Sequence, residues 1–397
     1  MTTITLSNRV QTIKPSATLA LSTRANQLKA AGKDIINLTV GEPDFDTPEH
    51  IKEAARQALR DGFTKYTAVD GIPKLKQAII AKFARENQLN YEPAQVMVST
   101  GAKQCIYNLM QALLNPGDEV IIPAPYWVSY PDMVLLAEGK PVFIETTVAQ
   151  KFKITAEQLE KAITPRTKLL ILNSPSNPSG MVYDKNELTA LAKVLLRHPQ
   201  VLIISDDMYE HIYWGKEPFV NILNACPELY DRTLVTNGMS KAYAMTGWRM
   251  GYIAGAKNLI IAMTNIQSQS TSNPNSIAQV AATAALEGDQ QCVRDMNKAY
   301  HQRHELVLAK LQKMPGVHCL PADGAFYMFP SLQKFINANG AINSDVALAE
   351  HLLNHAEIAL VPGSAFGTPG CMRISFATSV EILDKAMERM KIALEKI

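Results

Sequence analysis

The amino-acid sequence predicts an α/β fold in which a mostly parallel sheet is sandwiched by helices, with a second, smaller α+β domain. Between Val96 and Ala254, short β-branched runs alternate with longer stretches of helical periodicity. This alternation is typical of a parallel sheet covered by helices on both faces. The chain has 397 residues, which is longer than an ordinary domain with a single hydrophobic core. We therefore expect two domains or three.

The predicted elements follow an N-terminal arm. Thr47, Pro48 and Glu49 predict a helix start, because a hydroxyl N-cap, a proline at the first helical position and an early acid all favour a helix N-terminus. We predict helical stretches at 48–60, 72–87, 288–313 and 380–396, and strands at Val96–Thr100, Glu119–Pro123, Pro141–Glu145, Lys168–Asn173, Val201–Ser205, Thr233–Thr236 and Arg249–Ala254.

The alternation of strands and helices stops near residue 285, and this change sets the expected domain boundaries. We expect a large α/β domain over residues 46–285 and a small C-terminal α+β domain over residues 286–397. Residues 1–45 form an arm and a first short segment, which we expect to pack with the small domain.

Composition and charge exclude several classes of function. Lys and Arg total 39 and Asp and Glu total 37, and this near-balance argues against a nucleic-acid groove or a polybasic membrane surface. No apolar run approaches the ~18 residues of a membrane-spanning helix, and no secretory signal is visible. The five cysteines are scattered and form no C-x-x-C pair. We therefore expect a cytoplasmic protein without a disulfide framework or a metal site.

Ligands of open α/β sheets bind beyond the carboxyl ends of the strands, so the residues that follow each predicted strand are candidates for a site. Gly101, Ala102 and Lys103 follow the first of these strands and open a helix, where backbone N–H groups can approach an anion. A plain strand-to-helix turn is the alternative. Asn177 lies on a stiff turn with two prolines, Ser174–Gly180, where it serves either a ligand or the turn itself.

Two further strand ends carry charged residues. Asp206 follows an apolar strand, where a buried carboxylate is costly without a cationic partner, although an N-cap role is also open. Lys241 lies among small and apolar residues, and desolvation there would lower its pKa and make the amine a nucleophile. A solvated surface lysine is the alternative. Arg249, eight residues later, is a cation suited to a phosphate.

These residues lie within motifs of a known family. The segment Gly238–Gly251 fits the pyridoxal-phosphate attachment signature of class I aminotransferases. Six more motifs of that family recur in order: Gly41–Phe45, Lys65-Tyr66, Pro125–Trp127, Asn177–Gly180, Asp206–Tyr209 and Met372–Ser375. The chain therefore resembles the class I pyridoxal-phosphate-dependent aminotransferases from about residue 10 to its C-terminus. Within them it resembles the bacterial aspartate and aspartate/prephenate branch, which begins with Lys-Pro-Ser-Ala-Thr, here Lys14–Thr18.

The resemblance implies fold type I of the pyridoxal-phosphate-dependent transferases, with the cofactor pyridoxal 5'-phosphate bound by the large domain. Lys241 would carry the cofactor as a Schiff base and then move the proton. Asp206 would pair with the pyridine nitrogen and keep it protonated. Tyr209 and Asn177 would hydrogen-bond the phenolic oxygen, and Trp127 would stack on the ring.

The resemblance also implies how the cofactor phosphate is bound. Gly101, Ala102 and Lys103 would bind it largely through backbone amides, and Arg249 through its guanidinium. Tyr66 would reach the phosphate of the neighbouring subunit, so we expect a homodimer with shared active sites.

For the substrate, the resemblance implies that Arg373 binds the α-carboxylate as a bidentate fork. The backbone of Gly41, the ring of Trp127 and the amide of Asn177 would complete this part of the site. Lys14 is implicated in recognising a dicarboxylate or prephenate. An arginine from the partner chain, which some aspartate aminotransferases use for the side-chain carboxylate, has no counterpart that we can identify.

The activity implied is reversible transfer of the amino group from L-aspartate to 2-oxoglutarate, giving oxaloacetate and L-glutamate. A prephenate, aromatic or alanine aminotransferase of the same family is the alternative. Two other classes fit less well: a cofactor-sensing transcription regulator needs an added DNA-binding module, and a nicotinamide dehydrogenase needs a G-x-G-x-x-G fingerprint after a strand. Neither feature is found in this sequence.

Overall fold

The computed structural model describes residues 4–13 and 17–397 of the chain, so Lys14 lies outside the described residues. The helices are α1 Asn8–Gln11, α2 Ala17–Ala30, α3 Glu49–Arg60, α4 Pro73–Lys82, α5 Ala102–Leu113, α6 Ser129–Leu136, α7 Ala156–Ala162, α8 Lys185–Arg197, α9 Ile222–Ala225, α10 Lys257–Ser268, α11 Ser276–Glu287, α12 Gln291–Gln312, α13 Asp345–His355 and α14 Val380–Leu394. Within the described part of the chain, none of these helices has both the length and the apolar composition that crossing a bilayer requires.

Twelve strands form three sheets in the described residues. They are β1 Ile36–Asn37, β2 Val96–Thr100, β3 Glu119–Pro123, β4 Lys140–Ile144, β5 Thr167–Asn173, β6 Leu202–Asp206, β7 Thr233–Gly238, β8 Met250–Ala254, β9 Tyr327–Met328, β10 Ile358–Ala359, β11 Val361–Pro362 and β12 Met372–Ser375. All seven strands predicted between Val96 and Ala254 are present, with ends that differ by at most two residues.

The seven predicted strands form the central sheet, in the order β2-β8-β7-β6-β5-β3-β4. The pairs from β4 to β7 are parallel, whereas β8 is antiparallel to both β7 and β2. Six strands therefore run in one direction and β8 runs against them. The predicted mostly parallel sheet is confirmed.

The central sheet is buried on both faces, because side chains along each strand alternate between two hydrophobic clusters. In β5, Leu170 and Leu172 belong to one cluster, and Leu169 and Ile171 belong to the other. Helices such as α8 cover the first face, and α5 and α10 cover the second. This explains why the strands are continuous apolar runs in the sequence.

A third hydrophobic cluster holds most of the C-terminal part of the chain together. It includes buried residues of α12, α13 and α14 and of the antiparallel sheet β11-β12-β9. The N-terminal segment joins this region, since β1 pairs in parallel with β10 and Asp34 accepts hydrogen bonds from Lys385 and Arg389. The domain boundaries at 45/46 and 285/286 stay predictions.

The predicted N-cap of helix α3, Thr47, is wrong. Helix α3 is capped by Pro48, and no side chain accepts a hydrogen bond from its first turn. Thr47 instead donates its hydroxyl to the Ala244 carbonyl at 2.7 Å and accepts from the Trp248 indole at 2.9 Å. A contact with a segment 200 residues away therefore uses the hydroxyl that the local pattern assigned to the helix.

Candidate active site

The predicted site segments lie along one edge of the central sheet. Strands β2, β5, β6 and β7 run in the same direction, so the residues that follow them meet at that edge. Strand β8 runs the other way, and its first residues therefore start at this same edge. Arg249, which precedes β8, is brought beside the strand ends for this reason.

Lys241 lies in the turn that follows β7, and its ammonium group is removed from water. Its Nζ donates to the Gly41 carbonyl at 2.5 Å and lies 5.9 Å and 5.8 Å from the ring centroids of Tyr209 and Phe326. Burial, and after it the positive charge of Arg373, lowers the pKa of Lys241 to about 8. The amine is therefore much easier to deprotonate than an exposed lysine.

The N-terminal segment brings backbone carbonyls to this centre. The Thr39 carbonyl accepts from Arg373 Nη2 at 2.5 Å, two residues before the Gly41 carbonyl that meets Lys241. Farther along, Glu42 accepts a hydrogen bond from Thr246 in the Lys241 turn. The segment predicted to touch the substrate is thus held directly against both predicted cationic groups.

Asp206 is the last residue of β6 and is buried. Its carboxylate accepts from the Tyr130 hydroxyl at 2.5 Å and from the Met208 amide at 3.3 Å, and both of these donors are neutral. Burial raises the pKa of Asp206 to about 6. The carboxylate is therefore poised to stabilise a cation placed beside it.

The adjacent Asp207 takes part in a different set of contacts. It accepts hydrogen bonds from the Ser205 hydroxyl at 2.6 Å and the Asn221 amide at 2.8 Å. Burial, together with the nearby charge of Glu210, raises the pKa of Asp207 to about 7. Its partners identify Asp207 as a residue that braces the turn after β6.

Arg373 and Asn177 form one hydrogen-bonded unit. Arg373 Nη1 donates to Asn177 Oδ1 at 2.9 Å, and the backbone amide of Asn177 donates to Asn173 Oδ1 at 2.8 Å. Arg373 is buried, and within the described residues its Nε has no hydrogen-bond partner. A buried guanidinium with an unpaired N–H is well suited to an anionic ligand.

A second anion-binding corner lies at the start of α5. Gly101 adopts φ +83°, and a Cβ at this position would lie 2.5 Å from Arg249 Nη2, so glycine is required there. The first N–H groups of α5, at Ala102 and Lys103, have no carbonyl of their own helix to bind. Lys103 Nζ lies 5.0 Å from the ring centroid of Trp127. Backbone donors, a guanidinium and an ammonium therefore surround one corner.

The roles of two predicted residues are not tested by the structure. Tyr66 is 93% exposed in the single chain, whereas Asn177, Asp206 and Arg373 are buried. Lys14 belongs to the residues that the structure does not describe. Their roles stay predictions.

The sequence reasoning missed Tyr130 and Tyr327. Tyr130 lies at the start of α6, three residues after Trp127, and this closeness in sequence to a predicted site residue is the only signal that could have identified it. Its ring packs edge-on against Trp127, with the centroids 5.3 Å apart. Tyr327 comes from the short strand β9 and carries no local signal, yet its hydroxyl lies 2.8 Å from that of Tyr209.

These residues fit a pyridoxal phosphate group. A buried carboxylate without a cationic partner suits a protonated ring nitrogen, and a lysine with a lowered pKa suits an aldehyde. The glycine at the start of α5 beside Arg249 suits the phosphate. The Asp206 carboxylate, the Lys241 amine and the start of α5 beside Arg249 all lie along the same sheet edge. A single ligand with a ring nitrogen, an aldehyde and a phosphate could therefore contact all three.

Comparison with known proteins gives a consistent result. The family described as "Aminotransferase class I and II" matches residues 33–390. An aspartate/prephenate aminotransferase of Nitrosomonas europaea is 59% identical over 97% of this chain and 98% of its own. An aspartate aminotransferase of Geobacillus stearothermophilus is 52% identical, over 98% and 99%.

Solved structures agree with the sequence relatives. An aspartate aminotransferase from Rhizobium meliloti superposes with a TM-score of 0.96 at 48% identity, covering 99% of both chains. An aspartate aminotransferase from Thermus thermophilus with maleate gives a TM-score of 0.92 at 44% identity, covering 98% of this chain and 100% of the other. The predicted fold class is confirmed by these similarities.

Proposed function

This chain belongs to the class I and II aminotransferases, and from that premise we propose that it transfers the amino group of L-aspartate to 2-oxoglutarate, giving oxaloacetate and L-glutamate. The observation that carries the proposal is that one short segment contacts two cationic side chains. The Gly41 carbonyl accepts from Lys241, whose pKa is lowered to about 8, and the Thr39 carbonyl accepts from Arg373, whose Nε has no hydrogen-bond partner among the described residues. One side chain offers a nucleophile and the other binds a carboxylate, as an amino-acid substrate requires.

We propose pyridoxal 5'-phosphate as the cofactor. When bound, it supplies an electron-withdrawing ring that stabilises negative charge at the substrate Cα. Asp206 would hold the proton on the ring nitrogen, because a carboxylate whose pKa is already raised by burial gains from a nearby cation. Tyr209 and Asn177 would donate to the phenolic oxygen, and Trp127 would pack on the ring. Gly101, Ala102, Lys103 and Arg249 would hold the phosphate.

Lys241 then serves twice in the reaction. Its neutral amine would hold the cofactor through the aldehyde group, and once the substrate has taken its place there, the same amine would accept the substrate Cα proton and return it. The Gly41 carbonyl, 2.5 Å from Nζ, orients the amine between these tasks. The low pKa matters at both stages because a protonated ammonium can neither attack nor accept a proton.

The substrate α-carboxylate binds to Arg373. Asn177 and the Thr39 carbonyl hold its two terminal nitrogens, which fixes the plane of the guanidinium and leaves Nε available. The second carboxylate of aspartate also needs a cation, because enclosing it unpaired is costly. We propose Lys103, which lies over Trp127 with a pKa lowered by burial and by Arg249, and Lys14 as the candidates.

Prephenate is the second candidate amino acceptor. The Nitrosomonas europaea relative, at 59% identity, is named for both aspartate and prephenate. Prephenate carries a second carboxylate, so the same extra cation would serve it. An aromatic or alanine aminotransferase would not require that cation, and this difference separates the alternatives.

The experiment is a panel of donors and acceptors with purified protein and pyridoxal phosphate. We expect aspartate and glutamate to exceed alanine and phenylalanine in kcat/KM, with 2-oxoglutarate, oxaloacetate and prephenate tested as acceptors. Lys103→Ala or Lys14→Ala should cost roughly 1.5–3 kcal/mol of transition-state binding for dicarboxylic substrates and little for alanine, the range for a charge-assisted hydrogen bond. Equal losses for both substrate types would assign these lysines to structure or to phosphate binding.

We also propose a cytoplasmic homodimer in which Tyr66 completes the phosphate site of the partner. The 93% exposure of Tyr66 supports a role outside its own chain. Mixing Lys241→Ala protein with Tyr66→Ala protein should restore part of the lost activity, since one site of each hybrid then has both residues. A fully active monomer in sedimentation would contradict this proposal.

A further inference from the structure

Tyr327 lies where three of the predicted site residues meet. It is buried in β9, and its hydroxyl lies 2.8 Å from the Tyr209 hydroxyl. Its ring centroid lies 4.6 Å from Cζ of Arg373. A Cβ added at Gly41 would lie 2.3 Å from the Tyr327 hydroxyl. The motifs of the sequence do not include this residue, yet it contacts both halves of the site.

The two tyrosine hydroxyls share one hydrogen bond, so only one of them donates its proton into it. Burial raises the pKa of Tyr209 and of Tyr327, which keeps both phenols protonated. If Tyr209 donated to Tyr327, its only proton would be used and it could not donate to a bound ligand. If Tyr327 donates, the proton of Tyr209 is available for the ligand.

The proposed function requires that Tyr327 donates to Tyr209, and our inference rests on that proposed function. We propose that Tyr327 is a positioning residue that donates its hydroxyl proton to Tyr209, so that Tyr209 donates to the phenolic oxygen of the cofactor. The ring of Tyr327 also packs against Arg373 and holds its guanidinium in position to bind the substrate carboxylate. One side chain thereby serves the cofactor through its oxygen and the substrate through its π-face.

The ring contact is a separate function of the same residue. Cζ of Arg373 lies over two aromatic rings, 4.6 Å from the centroid of Tyr327 and 5.0 Å from that of Phe366. Burial lowers the pKa of Arg373, and a cation over π-faces regains part of the lost solvation. The stacking also holds the guanidinium plane, which leaves its Nε edge open to an anion.

The position of the Tyr327 hydroxyl is fixed by its neighbours. Gly41 leaves the space that this oxygen fills, and any larger residue there would force the oxygen away from Tyr209. Phe326, the residue before Tyr327, packs edge-on against Tyr209 with ring centroids 5.5 Å apart. The oxygen–oxygen contact is thus set by packing on several sides.

Two variants test the hydroxyl and the ring separately. Tyr327→Phe removes only the hydroxyl, and Tyr327→Leu removes the aromatic ring as well. Tyr300→Phe is the matched control, because Tyr300 is fully buried in the same cluster and its hydroxyl has no partner among the described residues. Each variant is loaded with pyridoxal phosphate. We measure kcat, KM for aspartate, the pH midpoint of the cofactor absorbance change, and the Kd of maleate, a dicarboxylate with no amino group to transfer.

For Tyr327→Phe we expect kcat to fall roughly tenfold, the size of one lost hydrogen bond, while KM and the maleate Kd stay within about twofold. The absorbance midpoint should move to higher pH, because the phenolic oxygen loses part of its hydrogen bonding. For Tyr327→Leu the maleate Kd should also rise roughly tenfold as the ring contact to Arg373 is lost.

The inference is overturned if Tyr327→Phe matches Tyr300→Phe in both kcat and absorbance midpoint. The Phe variant alone decides the hydroxyl role, so poor folding of the Leu variant leaves the test intact. The proposed function fails differently: wild-type protein would then show neither the absorbance nor amino transfer. An unchanged maleate Kd in a folded Tyr327→Leu protein would refute the role of the ring.

Discussion

Lys82 and Lys241 are both lysines whose ammonium groups are shielded from water, and their surroundings differ sharply. Lys82, at the end of α4, is fully buried; its Nζ contacts the Glu210 carboxylate and donates to Asn87 Oδ1 at 2.8 Å. Lys241 meets a backbone carbonyl and two aromatic rings, and none of the described carboxylates forms an ion pair with it.

The difference shows what a partner carboxylate does to a buried amine. Burial alone would raise the pKa of Glu210, but the charges of Lys82 and His211, together with hydrogen bonds from Lys82 and Asn87, lower it. For Lys241, burial is the main cause of a pKa lowered to about 8, the nearby Arg373 adds repulsion, and the more distant acids offset only part of this. One lysine is a fixed part of the core, and the other is available for chemistry.

The largest expected effect is on turnover at Lys241. Lys241→Ala should lower kcat by several orders of magnitude, because nucleophile and proton carrier are lost together. Unfolding of the apoprotein in denaturant should change little by comparison, since no ion pair is broken. A Lys241→Ala enzyme within tenfold of wild-type kcat would contradict the assignment, and Lys161→Ala, which removes an exposed lysine, serves as the control.

The next effect is on stability at Lys82. Lys82→Met should lower the free energy of unfolding by about 3–5 kcal/mol, because Glu210 is left buried without its cation. The double variant Lys82→Met/Glu210→Gln should recover part of this loss, as both charges are then absent. Breaking the exposed pair Lys161–Glu157 should change the free energy of unfolding far less, because solvent screens both charges. A loss at Lys82 as small as the loss at Lys161 would show that burial does not distinguish the two pairs.

The smallest expected effect is the pH dependence of the apoprotein. The pKa of Lys241 is about 8 in the folded chain and 10.5 as the ordinary value, so the folded state releases this proton first. The contribution of Lys241 to stability should therefore rise as pH increases from about 8 towards 10.5, and Lys241→Met should remove that rise. The rate at which apoprotein takes up pyridoxal phosphate should rise with pH around a midpoint near 8. A midpoint above 10 would show that the amine is solvated.

The central sheet could be predicted from the sequence because each of its strands has a signal within its own few residues. A strand buried on both faces must be a continuous apolar run, and β2 and β3 begin and end where those runs do. The cap of α3 could not be predicted in the same way. Thr47 has the right side chain for a cap, but a tertiary contact with Ala244 and Trp248 competes for the same hydroxyl.

The residues of the candidate site also fall into two groups, those that a local pattern predicts and those that only the tertiary packing brings together. Asp206 and Lys241 follow strands of one sheet, and their meeting at one edge follows from the strand directions. Tyr327 and the Thr39 carbonyl reach Tyr209 and Arg373 from distant parts of the chain. No local pattern indicates such pairings, because they depend on how the C-terminal region packs against the sheet edge.

The pairing of β1 with β10 has a consequence for the order in which the protein is made. Ile36 leaves the ribosome long before its partner Ile358, because most of the chain lies between the two. Strand β1 must therefore remain without its partner strand while the intervening chain is synthesised. The Thr39 and Gly41 carbonyls follow that strand closely and meet Arg373 and Lys241. The candidate site therefore cannot be completed before Arg373 has been synthesised, and a chain that terminates before this residue lacks the contact with Thr39.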